Sequence, residues 1–305
     1  MRFNTSLKFL LLVVFSGITA MLFAGESYEH ITAGGQTRNY ISYLPKSLEA
    51  GWNKSPSLPL VIALHGHGGT AEGMEKLTGF EALADKDKFL LVYPQGIDKN
   101  WNDGRGRNEN VNDVEFISTL INFIVSTYPV DAKRIYVTGM SNGGFMAMRL
   151  AYDIGNRIAA VAAVGATIDT TIDARQTSFP VSIMLIHGTK DPLVNIDGGN
   201  VKRLPDSYIL SHQALIASWV KRDHCNTTPS TSIIPDVNKD GTIIIKTDYT
   251  GGTNNTEVVS YVVENGGHTW PGGPQYLATG FIGLTSHNLD ATQVIWEFFK
   301  AHPKQ

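Results

Sequence analysis

Short, continuously apolar runs are the feature that most restricts how this chain can fold. They lie at 58–64, 89–93 and 158–164, and similar runs with polar residues only at or next to an end lie at 134–138 and 181–186. A run that lacks polar–apolar alternation is typical of a strand buried on both faces of a sheet. Amphipathic helical patterns fall between these runs, the clearest from Asp113 to Ile124. The alternation predicts an α/β fold with a doubly wound, mostly parallel sheet and helices on both faces.

The composition excludes several classes of protein. Of the 305 residues, 42% are hydrophobic, which is too many for a disordered chain. The formal charge of −3 provides no basic surface for nucleic acid. Because Cys225 is the only cysteine, neither an intramolecular disulfide nor a multi-cysteine metal site can form. No repeat, linker or charge block divides residues 25–305, which we expect to form a single domain.

Residues 1–24 have the order of a secretory signal peptide. Arg2 and Lys8 precede an apolar run at 9–15, and small residues follow as far as Ala24. A membrane anchor is the alternative, but the uninterrupted apolar run is too short to cross about 30 Å of hydrocarbon. We therefore expect cleavage after Ala24, a secreted protein (extracellular or periplasmic), and no membrane anchor after cleavage.

The segment Gly139–Gly144 carries the sharpest chemical signal. It matches G-x-S-x-G around Ser141, and it follows a β-branched strand and precedes a helical pattern. In a nucleophile elbow the serine occupies a strained turn between strand and helix, and the glycines allow the two to approach closely. The context predicts Ser141 as a nucleophile rather than a serine that only caps a helix.

A nucleophilic serine needs a histidine base, which in the α/β-hydrolase order follows an acid late in the chain. The histidines after Asp191 are His212, His224, His268, His287 and His302. His268 lies in the glycine-rich stretch 264–273, directly after a strand pattern at 258–263. The open backbone of such a stretch suits a catalytic loop, so we predict His268 as the base.

The acid should follow a strand between Ser141 and His268. Asp191 comes a few residues after the apolar run at 181–186, and Pro192 fixes the backbone behind it. The competing carboxylates are Asp173, Asp197 and Asp206, each with a weaker strand before it. We predict Asp191 as the acid and His187, at the strand end, as structural.

Catalysis also needs donors directed at the developing oxyanion. The glycine-rich loop Leu64–Gly69 follows the first central strand, where this kind of fold presents a backbone N–H group. We predict the backbone N–H groups of His67 and Asn142 as the two donors. His65 is interpreted as a buried residue that braces the loop.

Two tryptophans are candidates for contact with substrate. Trp101 lies in a loop after a central strand, and Trp270 lies two residues after His268. We predict that their rings flank the acyl pocket and stack on an aromatic acyl group or on a sugar face. The alternative is that both only pack the loops.

A metal or cofactor is not expected. Asp236–Gly241 is similar to the start of a calcium-binding loop, but Thr247 stands at the twelfth position, where such loops need a bidentate glutamate. A tight turn explains the Asp and Gly residues equally well. We therefore expect no metal and no cofactor.

These motifs together resemble the polyhydroxybutyrate depolymerase and feruloyl esterase-like family, within carbohydrate esterase family one of the α/β-hydrolases. The motifs that carry the resemblance are Leu64–Gly69, Trp101–Gly104, Val111–Val114, Gly139–Gly144, His187–Asp191 and Gly266–Gly273. The resemblance implies Ser141, Asp191 and His268 as nucleophile, acid and base. It departs at His67 and Gly252, where relatives often carry cysteines, and we expect no polymer-binding domain after the catalytic one.

The resulting prediction is a secreted serine carboxylic-ester hydrolase that acts through an acyl-enzyme on feruloyl or acetyl esters of plant polysaccharide fragments. Its partner would be an ester substrate, either polysaccharide-linked or a polyester oligomer. Hydrolysis of poly- or oligo(3-hydroxybutyrate) is the first alternative. A peptidase or acyltransferase on the same fold is a second, because a triad alone does not separate these activities. A catalytically silent carbohydrate-binding module is an alternative of another class.

Overall fold

The computed structural model describes residues 24–48, 57–175, 179–201 and 204–305. The predicted signal peptide, apart from Ala24, lies outside the described residues. Within the described ranges, no helix is both long and apolar enough to cross a membrane.

A ten-stranded sheet forms the centre of the molecule. Its strands are β1 Gly25–Ala33, β2 Gln36–Leu44, β3 Leu58–Leu64, β4 Leu90–Pro94, β5 Val130–Met140, β6 Ala160–Val164, β7 Ser182–Gly188, β10 Ser230–Ile234, β11 Ile243–Tyr249 and β12 Val258–Glu264. Their order across the sheet is β1-β2-β4-β3-β5-β6-β7-β12-β11-β10. The hairpin of β8 Gly199–Val201 and β9 Leu204–Ile209 forms a separate small sheet.

The central strands of the large sheet are parallel, and the outer strands on both sides are antiparallel. Strands β4, β3, β5, β6, β7 and β12 pair in parallel with one another. Strands β1 and β2 continue the sheet antiparallel on one side, and β11 and β10 do so on the other. The expected mostly parallel sheet is confirmed. Its parallel strands bring their carboxyl ends to one edge, where ligands bind in open α/β sheets.

Helices cover both faces of the sheet. They are α1 Ala71–Thr78, α2 Phe80–Asp87, α3 Asp113–Thr127, α4 Asn142–Ile154, α5 Thr170–Asp173, α6 His212–Arg222, α7 Thr279–Ile282 and α8 Ala291–Ala301, with single 3₁₀ turns at Lys46–Leu48, Ile97–Lys99, Gly155–Arg157 and Thr253–Asn255. Core residues of α3, α4 and α6 pack on one face, and those of α1, α2 and α8 pack on the other. This arrangement confirms the predicted doubly wound fold.

Strand β3 shows why the apolar runs are continuous. Leu60 and Ile62 point into the core under α3 and α4, whereas Val61 and Ala63 point into the core under α1 and α8. Since successive side chains of a strand face opposite ways, a strand with a core on each side needs apolar residues throughout. All seven residues of β3 are buried.

Candidate active site

Ser141 occupies the sharp turn between β5 and α4. Its backbone has φ 54° and ψ −126°, a conformation that a residue with a Cβ rarely adopts. The turn also brings two backbones into contact. A Cβ on Gly143 would lie 2.2 Å from the carbonyl oxygen of Leu64, and one on Gly139 would lie 2.4 Å from that of Gly143. The glycines of G-x-S-x-G are therefore required by the close approach of strand, helix and the neighbouring loop.

The other two predicted site residues lie at the ends of neighbouring parallel strands. Asp191 follows β7 and His268 follows β12, and the His268 Nδ1 atom is 2.7 Å from the Asp191 Oδ2 atom. Both side chains are almost completely removed from solvent. The structure therefore brings together the predicted acid and base, which are 77 residues apart in the chain.

Ser141 lies near this pair, and the end of β6 lies between them. Its N–H donates to the carbonyl oxygen of Val164 at the end of β6. The next residue is Gly165, at which a Cβ would lie 3.1 Å from the His268 Nδ1 atom. No hydrogen bond joins the Ser141 hydroxyl to the His268 ring in the described structure. Such a bond is often long in an empty active site and shortens when substrate binds.

The electrostatic environment of Asp191 fixes the tautomer of His268. Burial acts to raise the pKa of this carboxyl, but hydrogen bonding to His187 and His268 and the interaction with their charge hold the pKa well below its usual range. The Oδ1 atom also accepts from the N–H groups of Leu193 and Val194, each at 2.8 Å. An ionised carboxylate only accepts hydrogen bonds, so the His268 proton must be on Nδ1. The Nε2 atom is then free to take up a proton.

His187 is buried at the end of β7, as predicted for a structural residue. Its Nε2 atom is 3.0 Å from the carbonyl oxygen of Val194 and 3.5 Å from the Asp191 Oδ2 atom. It thus helps to hold the loop that carries Asp191, the predicted acid.

The two predicted oxyanion donors lie on adjacent elements. Asn142 is the first residue of α4, at the positive end of the helix dipole, and His67 is exposed in the loop after β3. In the described structure neither backbone N–H has a hydrogen-bond partner. Both groups are therefore available to a ligand.

His65 braces the loop that carries His67. Its Nε2 atom accepts from the N–H of Gly96 at 3.0 Å, and its Nδ1 atom lies 2.8 Å from the carbonyl oxygen of Gly66. Burial lowers the pKa of His65 to about 4, so the ring is neutral at neutral pH and can accept the Gly96 bond. The interpretation of His65 as a buried bracing residue is confirmed.

Trp101 is not at the surface, and its prediction as a substrate wall is wrong. Its side chain is 0% exposed and stacks on Phe116. The indole N–H donates to the carbonyl oxygen of His65 at 2.9 Å, and the backbone N–H donates to the Asn142 Oδ1 atom at 2.8 Å. Trp101 therefore joins the loop of His67 to the residue after Ser141, from inside the core.

Trp270 is also interior, and the same prediction fails for it. Its side chain is 1% exposed, its indole N–H donates to the Thr292 hydroxyl at 2.9 Å, and its ring packs edge-on against Phe80. A side chain with no accessible surface offers nothing for a substrate to stack on. The alternative that both tryptophans pack the loops is the correct one.

The sequence analysis missed a buried ion pair beneath the elbow. Asp103 and Arg105 are joined at 2.6 Å, and the Arg105 guanidinium lies over the Phe145 ring of α4. The Asp103 Oδ2 atom also accepts from the Asn142 side-chain amide at 2.6 Å. The sequence signal for this ion pair was two opposite charges, two residues apart, shortly after Trp101. The pair fixes the side chain of Asn142, the residue whose N–H is a predicted donor.

The competing histidines do not join the Asp191–His268 pair. His212 is buried with Nε2 2.7 Å from the Ser260 hydroxyl, and burial lowers its pKa to about 3. His302 lies 3.2 Å from Glu257, and His224 and His287 are exposed. His268 alone of these residues contacts the carboxylate of Asp191.

The loop similar to a calcium site is a hydrogen-bonded turn. The carboxylate of Asp236 accepts from the backbone N–H groups of Asp240 and Gly241, and that of Asp240 accepts from Thr242. The Asn288 side-chain amide bridges the two carboxylates at 2.9 Å each. Across the described ranges, no group of three or more His, Cys, Asp or Glu side chains is placed to hold a metal ion.

Fold and comparisons define the class of protein. The doubly wound sheet with a serine elbow and an Asp–His pair at its carboxyl edge is an α/β-hydrolase fold, and the chain is a carboxylic ester hydrolase. Residues 52–204 match the model of the phospholipase/carboxylesterase family, and the chain belongs to that family.

Two curated relatives and one solved structure illustrate this similarity. Feruloyl esterase C of Emericella nidulans is 27% identical over 270 residues, which are 87% of this chain and 84% of that protein. The bifunctional acetylxylan esterase/xylanase XynS20E of Neocallimastix patriciarum is 29% identical over 201 residues, 64% of this chain and 28% of that protein. The acetyl xylan esterase from Aspergillus awamori shares the fold, with a TM-score of 0.57, 13% identity and coverage of 90% and 99% of the two chains.

Proposed function

We propose that the protein is a secreted serine esterase that works through an acyl-enzyme. The observation that carries this proposal is the 2.7 Å contact of Asp191 with His268 beside the strained turn of Ser141. In this assignment Ser141 is the nucleophile, His268 is the general base and Asp191 orients it. The N–H groups of His67 and Asn142 stabilise the oxyanion.

The reaction then proceeds in two balanced halves. The Ser141 hydroxyl oxygen attacks the ester carbonyl while its proton moves to the His268 Nε2 atom. The bond from the acyl carbon to the alcohol oxygen breaks, and His268 returns the proton to that oxygen. A water molecule gives a proton to the His268 Nε2 atom and attacks the acyl carbon; the bond from that carbon to the Ser141 oxygen then breaks, His268 returns the proton to the serine oxygen, and the carboxylic acid product leaves.

We propose feruloyl or acetyl esters of plant polysaccharide fragments as the substrates. Support comes from two of the relatives, a feruloyl esterase and an acetylxylan esterase. We further propose that residues 25–305 form one catalytic domain, since both core layers share the same sheet, and that residues 1–24 direct secretion. The silent binding module loses its basis, because Trp101 and Trp270 are buried.

A fluorophosphonate probe tests the mechanism. It should label Ser141, and Ser141→Ala should abolish labelling and lower kcat by about 10⁶-fold. Ser126→Ala, a change at an exposed serine of α3, is the matched control and should retain both labelling and turnover. Labelling of a different serine, or near-native turnover by Ser141→Ala, would overturn the assignment.

A panel of esters tests the substrate. The value of kcat/KM should be higher for methyl ferulate or acetylated xylan than for a 3-hydroxybutyrate trimer. Preference for the trimer would replace the polysaccharide-ester proposal with the hydroxyalkanoate one.

A further inference from the structure

An uncharged, aromatic surface follows the predicted base in the chain. Between Trp270 and Ser286 the sequence contains no charged residue. The large apolar side chains exposed there are those of Tyr276 (41%), Leu277 (53%), Phe281 (73%) and Leu284 (38%). Several exposed apolar side chains within one short, uncharged segment point to a binding surface more strongly than isolated ones do.

The segment that carries this surface is held in a defined shape. The Gln275 side-chain amide donates to the carbonyl oxygens of Leu277 and Gly283 at 2.8 and 3.0 Å, and its oxygen accepts from the N–H of Thr285 at 2.9 Å. Ile282, in α7, is 1% exposed and anchors the segment in the core. Because the surface is formed before any ligand arrives, binding does not have to order it.

The same segment is bonded directly to the backbone of His268. The Tyr276 hydroxyl donates to the His268 carbonyl oxygen at 2.7 Å, and the His268 N–H donates to the carbonyl oxygen of Ile282 at 2.5 Å. A Cβ on Gly283 would lie 3.2 Å from the carbonyl oxygen of Lys190, which precedes the acid. The aromatic surface therefore lies on the side of the site that holds the acid and base.

The proposed reaction determines which part of an ester contacts this surface. In the proposed mechanism His268 returns its proton to the alcohol oxygen, so the leaving alcohol must lie on the side of His268. The acyl group, whose oxygen points to the His67 and Asn142 donors, extends away from it. An uncharged surface with two exposed aromatic rings suits the C–H face of a neutral sugar ring.

We propose that Tyr276, Leu277, Phe281 and Leu284 form a leaving-group surface that binds the sugar ring of a polysaccharide ester. This inference rests on the proposed function and extends it from the acyl group to the alcohol. The surface acts in acylation only, because the sugar has departed once the acyl-enzyme has formed.

Two feruloyl esters that differ only in their alcohol separate binding of the leaving group from binding of the acyl group. Methyl ferulate and ferulate esterified to an arabinose-containing oligosaccharide give the same feruloyl-enzyme, so their deacylation steps are identical. Phe281→Ala should lower kcat/KM for the sugar ester by about three- to tenfold and that for the methyl ester by less than about twofold. Phe281→Trp, which keeps an aromatic face, should preserve the ratio of the two values.

Ile233→Ala is the matched control, since Ile233 is 65% exposed on the edge strand β10, and it should change neither value. Equal losses for both esters in Phe281→Ala would overturn the leaving-group surface while leaving the proposed esterase intact. Failure of the proposed function has a different signature, namely no labelling of Ser141 and no turnover of either ester.

Discussion

Replacing Ser141 by glycine removes the hydroxyl and also releases a backbone that the fold holds in an unfavourable conformation. At φ 54° and ψ −126°, a residue with a Cβ is strained, whereas glycine adopts this conformation readily. A non-glycine residue held in such a region costs about 1–3 kcal/mol of folding free energy. The position of Ser141 should therefore be one where glycine stabilises the protein.

The expected net effect follows from two opposing terms. Relief of strain contributes about 1–3 kcal/mol, and the greater freedom of glycine in the unfolded chain costs about 0.4–1 kcal/mol. The difference of the two terms is about 0–2.6 kcal/mol, so Ser141→Gly should be more stable than Ser141→Ala by about 1.3 kcal/mol at the middle of this range. Each kcal/mol corresponds to a shift in Tm of about 2–4 °C in domains of about 150–250 residues.

Urea unfolding of the two variants measures the difference. Ser141→Ala is the right reference because it also lacks the hydroxyl but keeps the Cβ and hence the strain. Ala217→Gly makes the same alanine-to-glycine exchange at an exposed position inside α6 and should cost about 1 kcal/mol. If Ser141→Gly is less stable than Ser141→Ala by a similar amount, the backbone at the elbow is not strained and the reasoning is refuted.

Two further predictions concern carboxylates. Asp191→Asn should lower kcat by about 10⁴-fold, because the amide no longer selects the His268 tautomer with its proton on Nδ1. Asp197→Asn, at an exposed residue, is the control and should be nearly neutral. Equal losses in both variants would leave the acid unassigned. Burial raises the pKa of Asp223 to about 7, against the lowering effect of the nearby cations Arg222 and Lys304. The folded protein then binds a proton that the unfolded chain releases near pH 4, so stability falls as pH rises from about 4 to 7. Asp223→Asn does not titrate, and its advantage in urea unfolding should grow across that window to at most about 4 kcal/mol at pH 8. A constant difference between wild type and variant at all pH values would contradict this.

The interior of the fold was predictable because burial on two faces leaves a direct mark on the sequence. Strand β3 is apolar along its whole length and β7 has a continuous apolar run at 183–186, and both strands were found with boundaries within two residues. The edge strands β1 and β10 were not predicted. Residues of β1 alternate between half-buried and exposed, and four of the five residues of β10 are exposed, so neither carries a continuous apolar run.

The contact between Asp191 and His268 was predictable for a related reason. Chain order and parallel topology together place the ends of β5, β7 and β12 at one edge of the sheet. Any polar residue just after one of these strands is therefore a candidate, and the turn of Asp191 and the glycine-rich loop of His268 stand out among them. The topology of the sheet alone brings these residues together, whatever the direction of their side chains.

The local sequence does not determine whether a loop side chain points into the core or towards solvent. Trp101 and Trp270 lie in loops beside the site, and a loop position is compatible with an inward or an outward ring. Each ring turned inward because the core supplies a partner for the indole N–H, the carbonyl oxygen of His65 for one and the Thr292 hydroxyl for the other. A buried indole needs such a partner, and both partners are distant in sequence.

The inward position of Trp101 changes how its substitution should be interpreted. Through Asn142 and His65, Trp101 contacts both segments that carry the proposed oxyanion donors, and Asp103 holds Asn142 from a third direction. Since oxyanion donors act only where charge develops in the transition state, displacing them lowers kcat more than it raises KM. A change at a substrate wall would instead raise KM. Loss of activity on replacing Trp101 is therefore no evidence of substrate contact, because the structure provides a path by which a residue without exposed surface alters the chemical step.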